Sequence, residues 1–112
     1  MKYMMFVVAD PAAAAEAEPF DGEIGIEQWV DEVDRSGKRV IGERLRPTSD
    51  ATTVRIRRGE VVVSDGPFTE SKEWIAGFDI LECEDLDEAI AIAARHPQAN
   101  GGKLELRPFW QD

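Results

Sequence analysis

The chain opens on Tyr3-Met4-Met5-Phe6-Val7-Val8, a continuous apolar run that predicts a strand buried on both faces. Asp10-Pro11 ends it, and the alanine- and glutamate-rich stretch from Pro11 to Pro19 reads as a variable loop or a short helical turn. Ile26, Trp29, Val30 and Val33 then fall at i, i+3, i+4 and i+7, the stripe of an amphipathic helix. Gly37 is placed to stop that helix, because the residue past its end usually needs positive φ. Lys38–Leu45 predicts a short strand with a bulge at Gly42. Thr52–Arg57 alternates, and Arg58-Gly59 turns it into Val61-Val62-Val63 as a hairpin. After the Asp65-Gly66-Pro67 turn, Trp74–Cys83 predicts a second buried strand. Trp74, Ala76, Phe78 and Ile80 are expected on one face, and Ile75, Gly77, Leu81 and Cys83 on the other. Asp85, with Glu88 three residues on, opens a second helix whose stripe is Leu86, Ala89, Ile90 and Ala93. His96-Pro97 closes it, and Asn100-Gly101-Gly102 turns into a last strand carrying Leu104 and Leu106.

Two strand–helix–strand halves around one antiparallel sheet give an α+β, ferredoxin-like arrangement with two helices on one face, in a single domain over residues 1–112. The helices cover one sheet face only, while the first and fifth strands are apolar on both. Leaving the open face wet forgoes roughly 1.5–3 kcal/mol per large apolar side chain. A second copy packed sheet against sheet is the economical solution, so the expected state is a homodimer.

Charge narrows the partners. Thirteen Lys+Arg against 23 Asp+Glu give −10, which argues against direct nucleic-acid contact. The longest apolar run, Tyr3–Ala9, is far below the roughly 20 residues a membrane span needs, and Asp10-Pro11 interrupts any signal-peptide pattern. A cytoplasmic location is therefore expected. One cysteine and one histidine exclude an internal disulfide and multi-histidine or thiolate metal sites. No metal or cofactor is expected, because the carboxylate patches lack calcium-loop spacing.

Asp65-Gly66-Pro67-Phe68-Thr69-Glu70-Ser71-Lys72-Glu73 resembles the signature of the DGPF group within the YCII-related family. The resemblance extends over Met1-Lys2-Tyr3-Met4, Thr52-Thr53-Val54-Arg55 with Arg58-Gly59, and Gly77-Phe78. It continues through Asp85-Leu86-Asp87-Glu88-Ala89, His96-Pro97, Gly101-Gly102 and Glu105-Leu106-Arg107-Pro108. It implies a dimeric α/β barrel, in a family with many bacterial members. Some of these sit beside or are fused to extracytoplasmic-function sigma factors. It also implies, for some relatives, a His–Asp pair with the histidine on the first helix; here Ile26 to Ser36 holds no histidine.

Three features carry candidate chemistry. The loop from Asp65 to Glu73 offers Phe68 as an apolar wall, with Asp65, Glu70 and Lys72 as polar contacts. The alternative is a shaped turn. His96 has the one side chain whose ordinary pKa lies near neutrality, suited to a general base alongside or instead of Asp65. The alternative is a partly positive ring at the negative pole of the second helix. The segment Arg35–Arg58 holds eight basic residues and two acids, a local +6. With Arg107 it could line a pocket for an anion through Arg44 and Arg55, or it could simply form surface ion pairs. Cys83, Trp29 and Trp74 read as core residues, and Trp110 as a cover for a dimer seam or pocket mouth. Two functions follow. One is a dimeric barrel binding a small, anionic organic ligand, with cofactor-independent acid–base chemistry if a reaction occurs. The other, on the resemblance alone, is an interaction module partnered with a sigma factor.

Overall fold

The computed structural model describes residues 1–69 and 71–111, and Glu70 of the candidate loop lies outside them. Strand β1 (Lys2–Ala9) leads through a one-and-a-half-turn helix α1 (Pro11–Glu16) to α2 (Ile26–Arg35) and β2 (Arg39–Arg44). Strands β3 (Thr52–Arg57) and β4 (Glu60–Asp65) form a hairpin. Strand β5 (Trp74–Glu82), α3 (Leu86–Ala94) and β6 (Gly102–Pro108) complete the chain. The main sheet has the order β2-β5-β1-β6, antiparallel at every pairing. The fold is α+β, with α2 and α3 as the two crossovers.

Local chemistry accounts for the element ends. Asp10 caps α1 by accepting the Ala13 N–H at 3.2 Å, and Asp85 caps α3 by accepting the Glu88 N–H at 2.9 Å. Gly37 takes φ +74 directly after α2, the left-handed conformation that a helix-ending glycine supplies. The core lies between the sheet and the helices: Tyr3, Met5 and Leu81 from the strands, Cys83 just past β5, Trp29 and Val33 from α2, Ala89 and Ala93 from α3. The Trp29 indole N–H donates to the Ile92 carbonyl at 2.9 Å, which ties α2 to α3 and satisfies a buried donor.

The hairpin stands apart from the main sheet, β3 and β4 pairing only with each other as a separate two-stranded sheet. The structure corrects four sequence expectations. The irregularity of β2 falls between Arg39 and Ile41, before Gly42 rather than at it. Trp74 is not a core anchor, being 37% exposed. A bulge also changes the faces of β5: β1 and β5 slip between Val7 and Val8, so Val7 faces Gly77 while Val8 faces Ile75. One extra residue in β5 reverses the alternation, and Ile75 joins Phe78 and Ile80 on the open face. On α3 the buried stripe is rotated: Ala89 and Ala93 are buried and Ile92 packs beside them, while Leu86 and Ile90 are half exposed.

The face away from the helices carries Met4, Phe6 and Val8 from β1 with Phe78 and Ile80 from β5, in register as Met4–Ile80 and Phe6–Phe78. Ile41 of β2 extends it beside Ile80. No helix of the described residues is long and apolar enough to cross a membrane.

Candidate functional site

Strand β5 runs Gly77, Phe78, Asp79, Ile80, Leu81, and alternation aims Asp79 at the helices. A carboxylate there is costly unless paired. Asp79 is 5% exposed, and its Oδ1 accepts the Arg39 Nε–H at 2.8 Å. Arg39, at the start of β2, also donates through Nη1 to Asp34 at 3.2 Å and through Nη2 to the Gly42 carbonyl at 3.1 Å. Burial pushes the Asp79 carboxyl up from its ordinary value, and the Arg39 guanidinium opposes that shift. Gly42 sits opposite Asp79 in the ladder. A Cβ there would stand 2.6 Å from Arg39 Nη2 and 2.8 Å from the Asp79 carboxyl carbon, so a glycine leaves room for the ion pair.

His96 is the second buried polar side chain, 6% exposed and edge-on to Trp29 with ring centroids 4.7 Å apart. Its Nδ1 accepts the Gln98 backbone N–H at 2.9 Å. A backbone amide can only donate, so the ring proton sits on Nε2. Burial lowers the His96 pKa to about 4, and the ring is neutral at physiological pH. It therefore does not act as a cation at the end of α3. Its Nδ1 lone pair is used, and Nε2 presents a donor.

Asp79 and His96 line one cleft of about 400 Å³ between α2 and the sheet. Val7, Trp29 and Val30 give it apolar walls, and Arg44 brings a positive charge. Among the described residues, neither Asp79 Oδ2 nor the His96 Nε2–H has a hydrogen-bond partner. The cleft thus combines a carboxylate oxygen, a neutral imidazole donor and hydrophobic walls, a combination that orients small polar ligands.

The other predicted residues lie elsewhere. The Asp65–Lys72 loop borders a wider groove of about 960 Å³, lined by Leu45, Pro47, Gly66, Pro67, Phe68 and Trp74 among others. Gly66 takes φ +97, its N–H donates to Ala51 O at 2.7 Å, and Thr53 Oγ1 donates to its carbonyl at 2.7 Å. Those bonds fix the turn that ends the hairpin. Phe68, Asp65 and Lys72 are exposed. The basic residue on the groove wall is Arg46, which pairs with Asp50 at 3.0 Å. Arg44 lines the cleft of Asp79 and His96 instead. Arg55 projects from the detached hairpin, and Arg107 pairs with Glu105 at 3.1 Å on β6 with its guanidinium 5.7 Å from the Phe6 ring. Within the basic segment, Arg35, Lys38 and Arg39 also pair with acids. The basic residues are thus dispersed over several surfaces. Cys83 is buried in the core, and burial pushes its thiol pKa up. Trp110 is 95% exposed.

Sequence reasoning passed over Asp79. The signal was available: an acid at the same parity as Gly77, Leu81 and Cys83, inside the apolar run from Trp74 to Leu81. Arg39 was visible only as one member of a basic run.

Comparison with known proteins places the chain in a family without adding chemistry. The chain is 46% identical over 68 residues to an uncharacterized protein of Rhizobium meliloti (strain 1021). The matched part is 59% of this chain and 55% of that protein, so the chain spans about half the length of the curated relative. The family model of the YCII-related domain matches residues 1–111. The chain belongs to the YCII-related domain family.

Proposed function

We propose that the protein binds a small polar organic ligand in the cleft between α2 and the sheet and performs cofactor-independent proton transfer there. The observation that carries this reading is the convergence of two buried polar side chains, Asp79 and His96, on one apolar-walled cleft. The His96 Nε2–H donates to a carbonyl or hydroxyl oxygen of the ligand, and Asp79 Oδ2 takes up a proton from the atom beside it. Arg44 at the wall supplies a positive charge for an acidic group on the ligand. Asp79 replaces Asp65 as the base, because Asp65 is exposed on a surface strand end while Asp79 is buried at the cleft.

The strand order β2-β5-β1-β6 with two helical crossovers supports a ferredoxin-like reading. The apolar face of Met4, Phe6, Ile41, Phe78 and Ile80 supports a second copy of the chain as its cover, giving a dimeric α/β barrel. The exposed Phe68 and Trp110 favour a second reading, an interaction module for a sigma factor, but the cleft favours the ligand.

A thermal-shift screen with small 2-oxo, 2-hydroxy and aromatic acids tests the ligand reading. Saturation at about 100 times Kd adds roughly 2.7 kcal/mol to the native state. A hit should stabilise the wild type and lose most of its effect in Asp79→Asn and in His96→Gln. Equal stabilisation of all three proteins, or no hit across the screen, contradicts the assignment.

A further inference from the structure

The β3–β4 hairpin stands apart from everything that accounts for the core. Its strands pair only with each other. The register sets Val54 opposite Val63 and Ile56 opposite Val61, so these four side chains share one face. All four are 60–67% exposed. A two-stranded hairpin is at best marginally stable without something packed on its apolar face. Four β-branched side chains at that exposure offer on the order of 400 Å², about half of what one partner buries in a standard interface.

The shape of the molecule agrees with a hairpin that projects from the body. The radius of gyration is 16.3 Å, against about 13 Å for a compact chain of this length. The extents of 52 × 41 × 20 Å describe a thin, extended body. Charge selects the occupant. Residues 52–65 carry Arg55, Arg57 and Arg58 against Glu60 and Asp65, a net +1, which leaves −11 on the rest of the chain. A slightly basic, apolar-faced arm complements an acidic body with an uncovered apolar sheet face, and this chain has both.

We infer that the β3–β4 hairpin is an exchange arm: each copy lays the face of Val54, Ile56, Val61 and Val63 onto a second copy of the chain, beside the sheet-to-sheet contact. This inference rests on the dimer reading above. The arm adds a reciprocal contact, so one apolar patch is used twice across the two-fold axis. It also accounts for the placement of Arg55 and Arg57 on the opposite hairpin face, where they stay in water.

Sedimentation equilibrium across a dilution series tests the arm. The proteins are wild type, I56T/V61T and V54T/V63T; Thr keeps the β-branched shape while lowering hydrophobicity. Circular dichroism melts identify the variant that keeps the wild-type fold. The wild type is expected to be a dimer at micromolar concentration, with Kd raised at least about 30-fold in the folded variant. A wild-type dimer whose Kd changes less than threefold in the variant overturns the arm and leaves the dimer standing. A wild-type monomer at tens of micromolar overturns the dimer and the arm together. If both variants fail to fold, the hairpin face is part of the monomer's own core, and the arm is overturned.

Discussion

Arg39→Met isolates the electrostatics of the buried site. Met keeps much of the volume of the Arg39 stem and removes the guanidinium that donates to Asp79 at 2.8 Å. A carboxylate with 5% exposure is then left without its cation. Removing one partner of a buried pair costs about 3–5 kcal/mol. The loss depends on pH in a defined direction. Burial already raises the folded-state pKa of Asp79 above its ordinary value, and Arg39 holds it down. Without Arg39 it rises further. A carboxyl whose folded pKa is raised binds its proton more readily in the native than in the unfolded state. Its contribution is therefore fully present below the unfolded pKa and is lost as pH rises through the folded pKa. The gap between wild type and Arg39→Met should be largest at neutral pH and shrink as the solution is acidified. Urea unfolding of both proteins at pH 7, 6 and 5 measures it, and the His96 contribution, common to both, cancels. Replacing both groups, as Arg39→Met with Asp79→Leu, should recover most of the loss, because an apolar pair has no charge to desolvate. A gap under about 1 kcal/mol at pH 7, or one that does not change between pH 7 and 5, refutes the reasoning.

Gly42→Ala should cost about 1–3 kcal/mol, because the added methyl meets Arg39 Nη2 and the Asp79 carboxyl while the backbone φ is not the obstacle; equal urea midpoints for the two proteins would show that the pair moves aside freely. Asp85→Ala should cost about 0.5–2 kcal/mol through the lost bond to the Glu88 N–H, read from the same unfolding curves; no change would mean that water caps α3 equally well.

The elements that were legible from sequence are those fixed by neighbours in the chain. The i, i+3, i+4, i+7 stripe of α2, the Asp85 cap and the positive φ of Gly37 each need only a few adjacent residues. What escaped is set by contacts distant in sequence. The bulge opposite Val7 and Val8 appears only when β1 is laid against β5, and it moves Ile75 to the other face. The Arg39–Asp79 pair spans 40 positions, so the sequence showed Arg39 as one of eight basic residues between Arg35 and Arg58 and Asp79 as a lone acid. The hairpin was legible as a hairpin, but alternation cannot say whether an apolar face meets its own sheet or another surface. The basic run followed the chain, while the fold sends Arg39 to the buried Asp79, Arg44 to the cleft and Arg55 onto the hairpin.

The neutral, Nε2-protonated state of His96 is the point on which the site's chemistry turns, and it can be read from one titration. The sequence contains one histidine, so a ¹⁵N-detected imidazole spectrum needs no assignment. The expected curve has its inflection at about 4, with Nδ1 unprotonated and Nε2 protonated throughout the neutral range. Because the folded pKa lies below the ordinary 6.5, the associated stability is present above pH 6.5 and is lost as pH falls toward 4, by roughly 3 kcal/mol in all. An inflection near 6.5, or a proton on Nδ1, would place the ring in water or break its hydrogen bond from the Gln98 N–H, and would contradict His96 as the buried donor of the cleft.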